Sequence, residues 1–378
     1  MADRRVSTAS ADDLAALGIN DRRSPLPEGT LAVGAGLVIS GITAYGFLVL
    51  AARALGPERY APLGLLWTVV FLIGPGFFLP VEQEVSRALS ERKARGLGGG
   101  PLLRRAALLT AVVLGVLLVA VAATAPLTLP KLFDDQVLLV IGLGLALTGA
   151  AAGHLARGAC SGQGRFRPYA VFLAADGTIR LLLCAALSIA GVDTPGLYGV
   201  AVGVAPIAAV LLAVGRERGL VNEGPDAAWS ELSKALVILL IASVLSFTLV
   251  NAGPMAIDLL GTDAEQADAG RFLNGLIIAR VPLFLFQAVQ ASLLPKLSAL
   301  AGAGRFDELR AGLRNLMAVT VAIGAVATAG GFALGPEVVR LLFGPEFELD
   351  HRTLGLLALS CAAYMVAVAL AQAVIALS

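Results

Sequence analysis

The sequence predicts an all-α, polytopic membrane fold of about ten transmembrane helices in two pseudo-symmetric lobes, six helices plus four. Three observations carry that prediction. Ten apolar stretches each reach the roughly 20 residues that a hydrocarbon core demands. Lysine and arginine crowd into alternate gaps between them. The order of motifs along the first six stretches then begins again along the last four.

The stretches run over 30–52, 61–81, 106–126, 137–158, 169–191, 195–215, 234–255, 271–295, 313–334 and 353–376. The tail 1–29, with Asp12, Asp13, Arg22 and Arg23, lacks an apolar segment, so it reads as a disordered arm and not a cleaved signal. The stretch 30–52 then serves as an uncleaved signal anchor. With residues at the ends of stretches counted in the adjoining gap, twenty of the 28 Lys and Arg fall on the side of the tail and six on the other, while Arg180 and Arg280 lie near the middle of stretches. Positive segments stay in the cytoplasm, which places the amino terminus inside the plasma membrane of a bacterium.

The repeat has an offset of about 205–215 residues. Leu55-Gly56 follows the first stretch and Leu260-Gly261 the seventh. Pro75, Phe77 and Gln83 recur as Pro282, Phe284 and Gln290, and Leu132-Phe133 recurs as Leu342-Phe343. An even number of spans per half restores the starting orientation, the arrangement of a parallel transporter repeat. The expected organisation is a tail (1–29), an N-lobe (30–215), a cytoplasmic linker (216–233) and an incomplete C-lobe (234–378). Two spans would complete the second lobe, so the reading frame is expected to continue past Ser378.

Composition excludes several classes. Hydrophobic residues make up 57% and charged residues 15%, far from a soluble domain. A net charge of +1 distributed by membrane sidedness gives no nucleic-acid footprint. Cys160, Cys184 and Cys361 fall in or beside spans and read as small core residues. There is no phosphate loop, the isolated Gly142/Gly144 and Gly162/Gly164 pairs give no dinucleotide site, and His154 and His351 lie on opposite sides. No enzyme, metal or cofactor is expected.

Intramembrane ionisable residues are functional candidates by default. Asp176 and Arg180 share a face one turn apart, either as a structural ion pair or as part of a cavity. Arg280 has no acid within four residues and needs a partner from another helix, water or a ligand. Pro75 and Pro80 in the second stretch and Pro282 in the eighth are candidate breaks or hinges, the usual pointer to a substrate path, with a packing kink as the plainer account. Asn251, Asn274, Gln287 and Gln290 could line the same cleft or simply join helices. Gln83 and Arg87, after the second stretch, suit a gate or a solvated helix end. Gly36/Ser40/Ala44, Gly149/Gly153 and Gly199/Gly203 are close-packing signals.

Ala52-Arg53-Ala54-Leu55-Gly56-Pro57-Glu58-Arg59-Tyr60 resembles the polysaccharide transporter branch of the multidrug/oligosaccharidyl-lipid/polysaccharide flippase superfamily. The likeness continues through Pro80–Arg87, Phe166–Tyr169, Ala279–Gln287, Leu294–Leu297 and Leu342–Gly344. It implies two six-helix lobes around a central cavity, alternating access, and movement of a lipid-linked saccharide across the membrane. It also implies membrane lipids as surroundings, and glycan polymerase and glycosyltransferases as partners. Arg53, Arg180 and Arg280 are the cavity candidates, because guanidinium pairs well with phosphate. The competing readings are a cation-coupled multidrug exporter, which needs membrane carboxylates, and a transport-inactive scaffold for glycan assembly.

Overall fold

The computed structural model describes residues 30–215, 217, 220, 222–232, 236, 240–246, 248, 266–283, 286 and 306–377. Its regular structure among these residues is helical: α1 (Thr30–Ala94), α2 (Gly100–Leu132), α3 (Val137–Gly162), α4 (Phe166–Ile189), α5 (Pro195–Val214), α6 (Gln266–Ala279), α7 (Phe306–Phe343) and α8 (His351–Leu377). Seven of these are long and apolar enough to cross a membrane, and α1, with 65 residues, is long enough to cross twice. The stretch 234–255 lies mostly outside the described residues, and 271–295 enters them as α6 and the turn after it.

The first two expected spans are joined by one residue and not by a loop. Gly56 alone leaves the helical region, at φ 73° and ψ 168°, where a side chain would be strained. Pro57 follows it, at a position where a new helix tolerates proline because its missing N–H has no partner anyway. The helix then runs on through Pro62, Pro75 and Pro80. The expected break at Gly74-Pro75-Gly76 is therefore absent, whereas the matched break at Pro282 is present: α6 stops at Ala279 and Arg280 forms a turn.

Helices α3 and α5 make the interior of the N-terminal bundle. A Cβ on Gly142 would stand 2.6 Å from the Gly199 carbonyl, so the two backbones approach as only glycine permits. By contrast, α2 turns Leu108, Val112, Val116 and Val119 outward, an apolar surface suited to lipid chains.

Residues 222–232 form a strap across the end of the bundle that carries the basic segments. Arg92 is buried there and reaches Glu231 with one nitrogen at 2.8 and 3.0 Å from its two oxygens. The same guanidinium donates to the Gly98 and Pro225 carbonyls. Arg105 bonds Asp226 and stacks on Trp229.

The apolar cores divide unevenly. At the end away from the basic segments, Phe47, Tyr60, Leu139, Cys184 and Tyr198 share one cluster with Val339, Phe343, Phe347 and Leu354. At the basic end, the cluster around Val85, Leu102 and Cys160 is separate from the one around Phe286, Leu316 and Met365.

Candidate central cavity

Between the N-terminal helices and α6 lies a cavity of about 420 Å³. Its walls are mostly apolar, with Trp67, Phe71 and Phe172 supplying aromatic surface. Three of its lining residues carry guanidinium groups (Arg157, Arg180, Arg280) and one, Asp176, a carboxylate. The lining is therefore positive in balance.

The helical spacing of Asp176 and Arg180 produces the ion pair its sequence suggests, with Nη2 2.5 Å from Oδ2. Arg180 also lies over the Trp67 ring, 5.1 Å from its centroid. Asp176 Oδ1 and Arg180 Nε are buried without a protein partner. The pair thus keeps unused hydrogen-bonding capacity in a site where such atoms are costly to leave unmet. Arg280, at the turn that ends α6, faces Tyr45, Cys361 and Tyr364. Tyr45 in turn donates to the Ile277 carbonyl at 3.0 Å, tying α1 to α6 at the cavity wall.

Of the candidates, Asp176, Arg180, Arg280 and Pro75 line this cavity together. Arg53 lies elsewhere. It donates to the Leu341 and Leu342 carbonyls at the C-terminal end of α7, where unpaired carbonyls and the helix dipole favour a cation. Asn274 is fully buried on α6 with both amide atoms unpartnered. Pro80 is buried outside the cavity lining, Pro282 follows the Arg280 turn and Gln83 is exposed. Arg87 bonds Glu84, Glu91 and the Glu231 carbonyl on the surface of the basic end. Asn251, Gln287 and Gln290 lie outside the described residues.

One cluster escaped the sequence reading. Glu82, one residue past the second stretch, is buried and accepts from three groups. Its Oε2 lies 2.8 Å from His154 Nδ1 and 2.7 Å from an Arg157 nitrogen, and Tyr169 donates to Oε1 at 3.0 Å. Arg157 is held over the Tyr169 and Phe172 rings. The available signal was that Pro80–Arg87 and Phe166–Tyr169, two of the stretches carrying the family likeness, meet here. Among the described residues, no three His, Cys, Asp or Glu side chains gather as a metal site would require.

No model of a known protein family matches the chain. It is 25% identical over 334 residues to an uncharacterized protein of Mycobacterium bovis, covering 85% of this chain and 74% of that one. A second uncharacterized protein, from Mycobacterium tuberculosis, is 26% identical over 332 residues, covering 86% and 74%. Among solved structures, a Vibrio cholerae MATE transporter superposes with a TM-score of 0.63 at 14% identity, over 93% of this chain and 85% of that one. An inward-facing multidrug resistance MATE transporter of the MOP superfamily gives 0.62 at 15%, over 89% and 80%. A MOP superfamily transporter from Pyrococcus furiosus, described by the reverse polarity of its binding pocket, gives 0.59 at 14%, over 92% and 81%. The chain shares its fold with these structures.

Proposed function

We propose that the protein is a membrane exporter that works by alternating access and carries an anionic, lipid-linked saccharide. The positive balance of the cavity supports this reading: Arg157, Arg180 and Arg280 line it with Asp176, and counting Glu82, which holds Arg157 from behind, one positive charge remains in excess. A diphosphate head would pair with guanidinium groups in a low-dielectric site, while its polyprenyl chain stays in lipid. The setting is a bacterial plasma membrane with the amino terminus in the cytoplasm, beside the polymerase and glycosyltransferases that make and use such intermediates.

A multidrug exporter is the second reading. The aromatic walls and the unpartnered Asp176 oxygen favour it, because an apolar cation would stack on the former and pair with the latter. The two readings part under charge removal. In proteoliposomes, leaflet-resolved movement of a fluorescent polyprenyl-diphosphate saccharide should fall roughly tenfold in Arg280→Gln and in Arg180→Gln, the loss of about 1.4 kcal/mol of binding each. Efflux of a cationic dye that falls in Asp176→Asn but survives loss of either arginine would support the drug reading. Full surface-glycan production by both stably inserted arginine variants would point to the scaffold.

A further inference from the structure

Arg157 serves two sites at once, and that shared use has a chemical consequence. It lines the cavity, its Nε is buried without a partner, and it is also the cation in direct contact with the Glu82 carboxylate. The groups facing Glu82 come from two neighbouring helices: His154 and Arg157 on α3, and Tyr169 on α4. Glu84, two residues along α1, is paired with Arg87.

An anion in the cavity and Glu82 therefore compete for one guanidinium. If the anion draws Arg157 away, Glu82 is left with two neutral donors, the His154 Nδ1–H and the Tyr169 hydroxyl. A buried carboxylate stripped of its counter-charge takes up a proton. His154 supplies a route. Its Nδ1 lies 2.8 Å from Glu82 Oε2 and 2.7 Å from Arg157 Nη2, which also stands 3.2 Å from Nε2, while the ring borders the cavity. Departure of Arg157 frees Nε2 to accept a proton from cavity water as Nδ1 passes its own to Oε2. The imidazole stays neutral, its tautomer changes, and one proton has entered.

We propose that Glu82 is a proton-binding site, loaded when an anion in the cavity takes Arg157 and emptied when the anion leaves. This rests on the reading of the cavity as an anion site, and it adds the means by which anion occupancy becomes linked to a proton. Linkage makes the effect reciprocal: acid strengthens anion binding, and the anion raises proton occupancy.

Sulfate is a suitable probe because it stays fully ionised near neutral pH, so any proton gained belongs to the protein. Titration calorimetry of the full chain in buffers of different ionisation enthalpy should show uptake of up to about one proton per sulfate bound. Infrared difference spectra should gain a protonated-carboxyl band on sulfate addition. Glu82→Gln, which keeps the shape and one acceptor oxygen for its neutral neighbours, should bind sulfate more tightly, without the band and without proton uptake. Tyr169→Phe gives a second variant should that one fold poorly, and should keep the band at a shifted frequency. Sulfate binding with no carboxyl band in the wild type, or with the same band and uptake in Glu82→Gln, overturns the proton site and leaves the anion cavity standing. If the wild type binds no sulfate at all, the anion reading falls and this inference falls with it.

Discussion

The two ends of the bundle are built differently. Away from the basic segments, α1, α3, α4 and α5 share one apolar core with α7 and α8, and Arg53 ties α1 to the end of α7. Among the described residues at the basic end, the two sets of helices keep separate cores, and the first set is bound to its own strap. A molecule closed by a common core at one end and divided at the other holds its cavity between them. The difference is one of solvent as much as of packing. A shared apolar core excludes water from the far end, whereas arginine–carboxylate pairs hold the strap where water and headgroups are near.

The three cysteines let each region be read separately. Cys184 is buried in the shared core, Cys160 in the N-terminal core of the basic end, and Cys361 on α8 near Arg280. The largest effect should come from Phe343→Ala, which empties a buried ring position in the shared core and leaves a cavity worth about 3–5 kcal/mol. Thiol labelling of Cys184 should accelerate strongly while Cys160 keeps its protection. Equal acceleration at both would mean that the two ends open as one unit.

Arg92→Ala should act at the opposite end. It removes a buried guanidinium and leaves Glu231 and two carbonyls short of a donor, a loss of about 2–3 kcal/mol given that Glu231 is part-exposed. Here Cys160 should become reactive and Cys184 stay protected. A rise at Cys184 instead would show that the strap supports the shared core. Arg53→Ala should be milder, about 1 kcal/mol for two exposed bonds to carbonyls, or roughly a fivefold faster Cys184 reaction. If Arg53 were a substrate ligand instead, transport would fall with no change in labelling.

The sequence carried the helices well, because the length and polarity of a span are local properties. It left 53–60, with Arg53, Glu58 and Arg59, as a gap between two stretches and did not report that the helix passes through it with a single kink at Gly56. Arg53 in fact satisfies α7 carbonyls and Arg59 pairs with Asp193, so both charges are used without a loop. The site divided along the same line. Asp176 and Arg180 lie four residues apart on one helix, and their pairing could be read directly. Glu82, His154, Arg157 and Tyr169 come from three helices and meet only through packing, which no spacing rule reports. Arg53 was drawn toward the cavity by its charge alone, although the helix end that uses it is nearly 290 residues away.

The smallest expected effect concerns acid and again separates the two ends. Burial opposes the charge on Glu231, but the Arg92 guanidinium and the Ala228 N–H outweigh it and hold the carboxyl below its ordinary range. Its folded value is therefore lower than its unfolded one, near 4.3. The stabilisation is complete above that unfolded value and is lost as the pH falls through the folded value. Between neutrality and about pH 5 the strap should hold, and in stronger acid it should loosen while the shared core, built of packed apolar side chains, keeps its packing. Trp229 reports this directly once Trp67, the other tryptophan, is replaced by phenylalanine. Its quenching by acrylamide should rise on acidification, and Glu231→Gln should start from the looser state and show a flatter response. An unchanged acid response in Glu231→Gln would show that the pH sensitivity of the basic end does not come from Glu231.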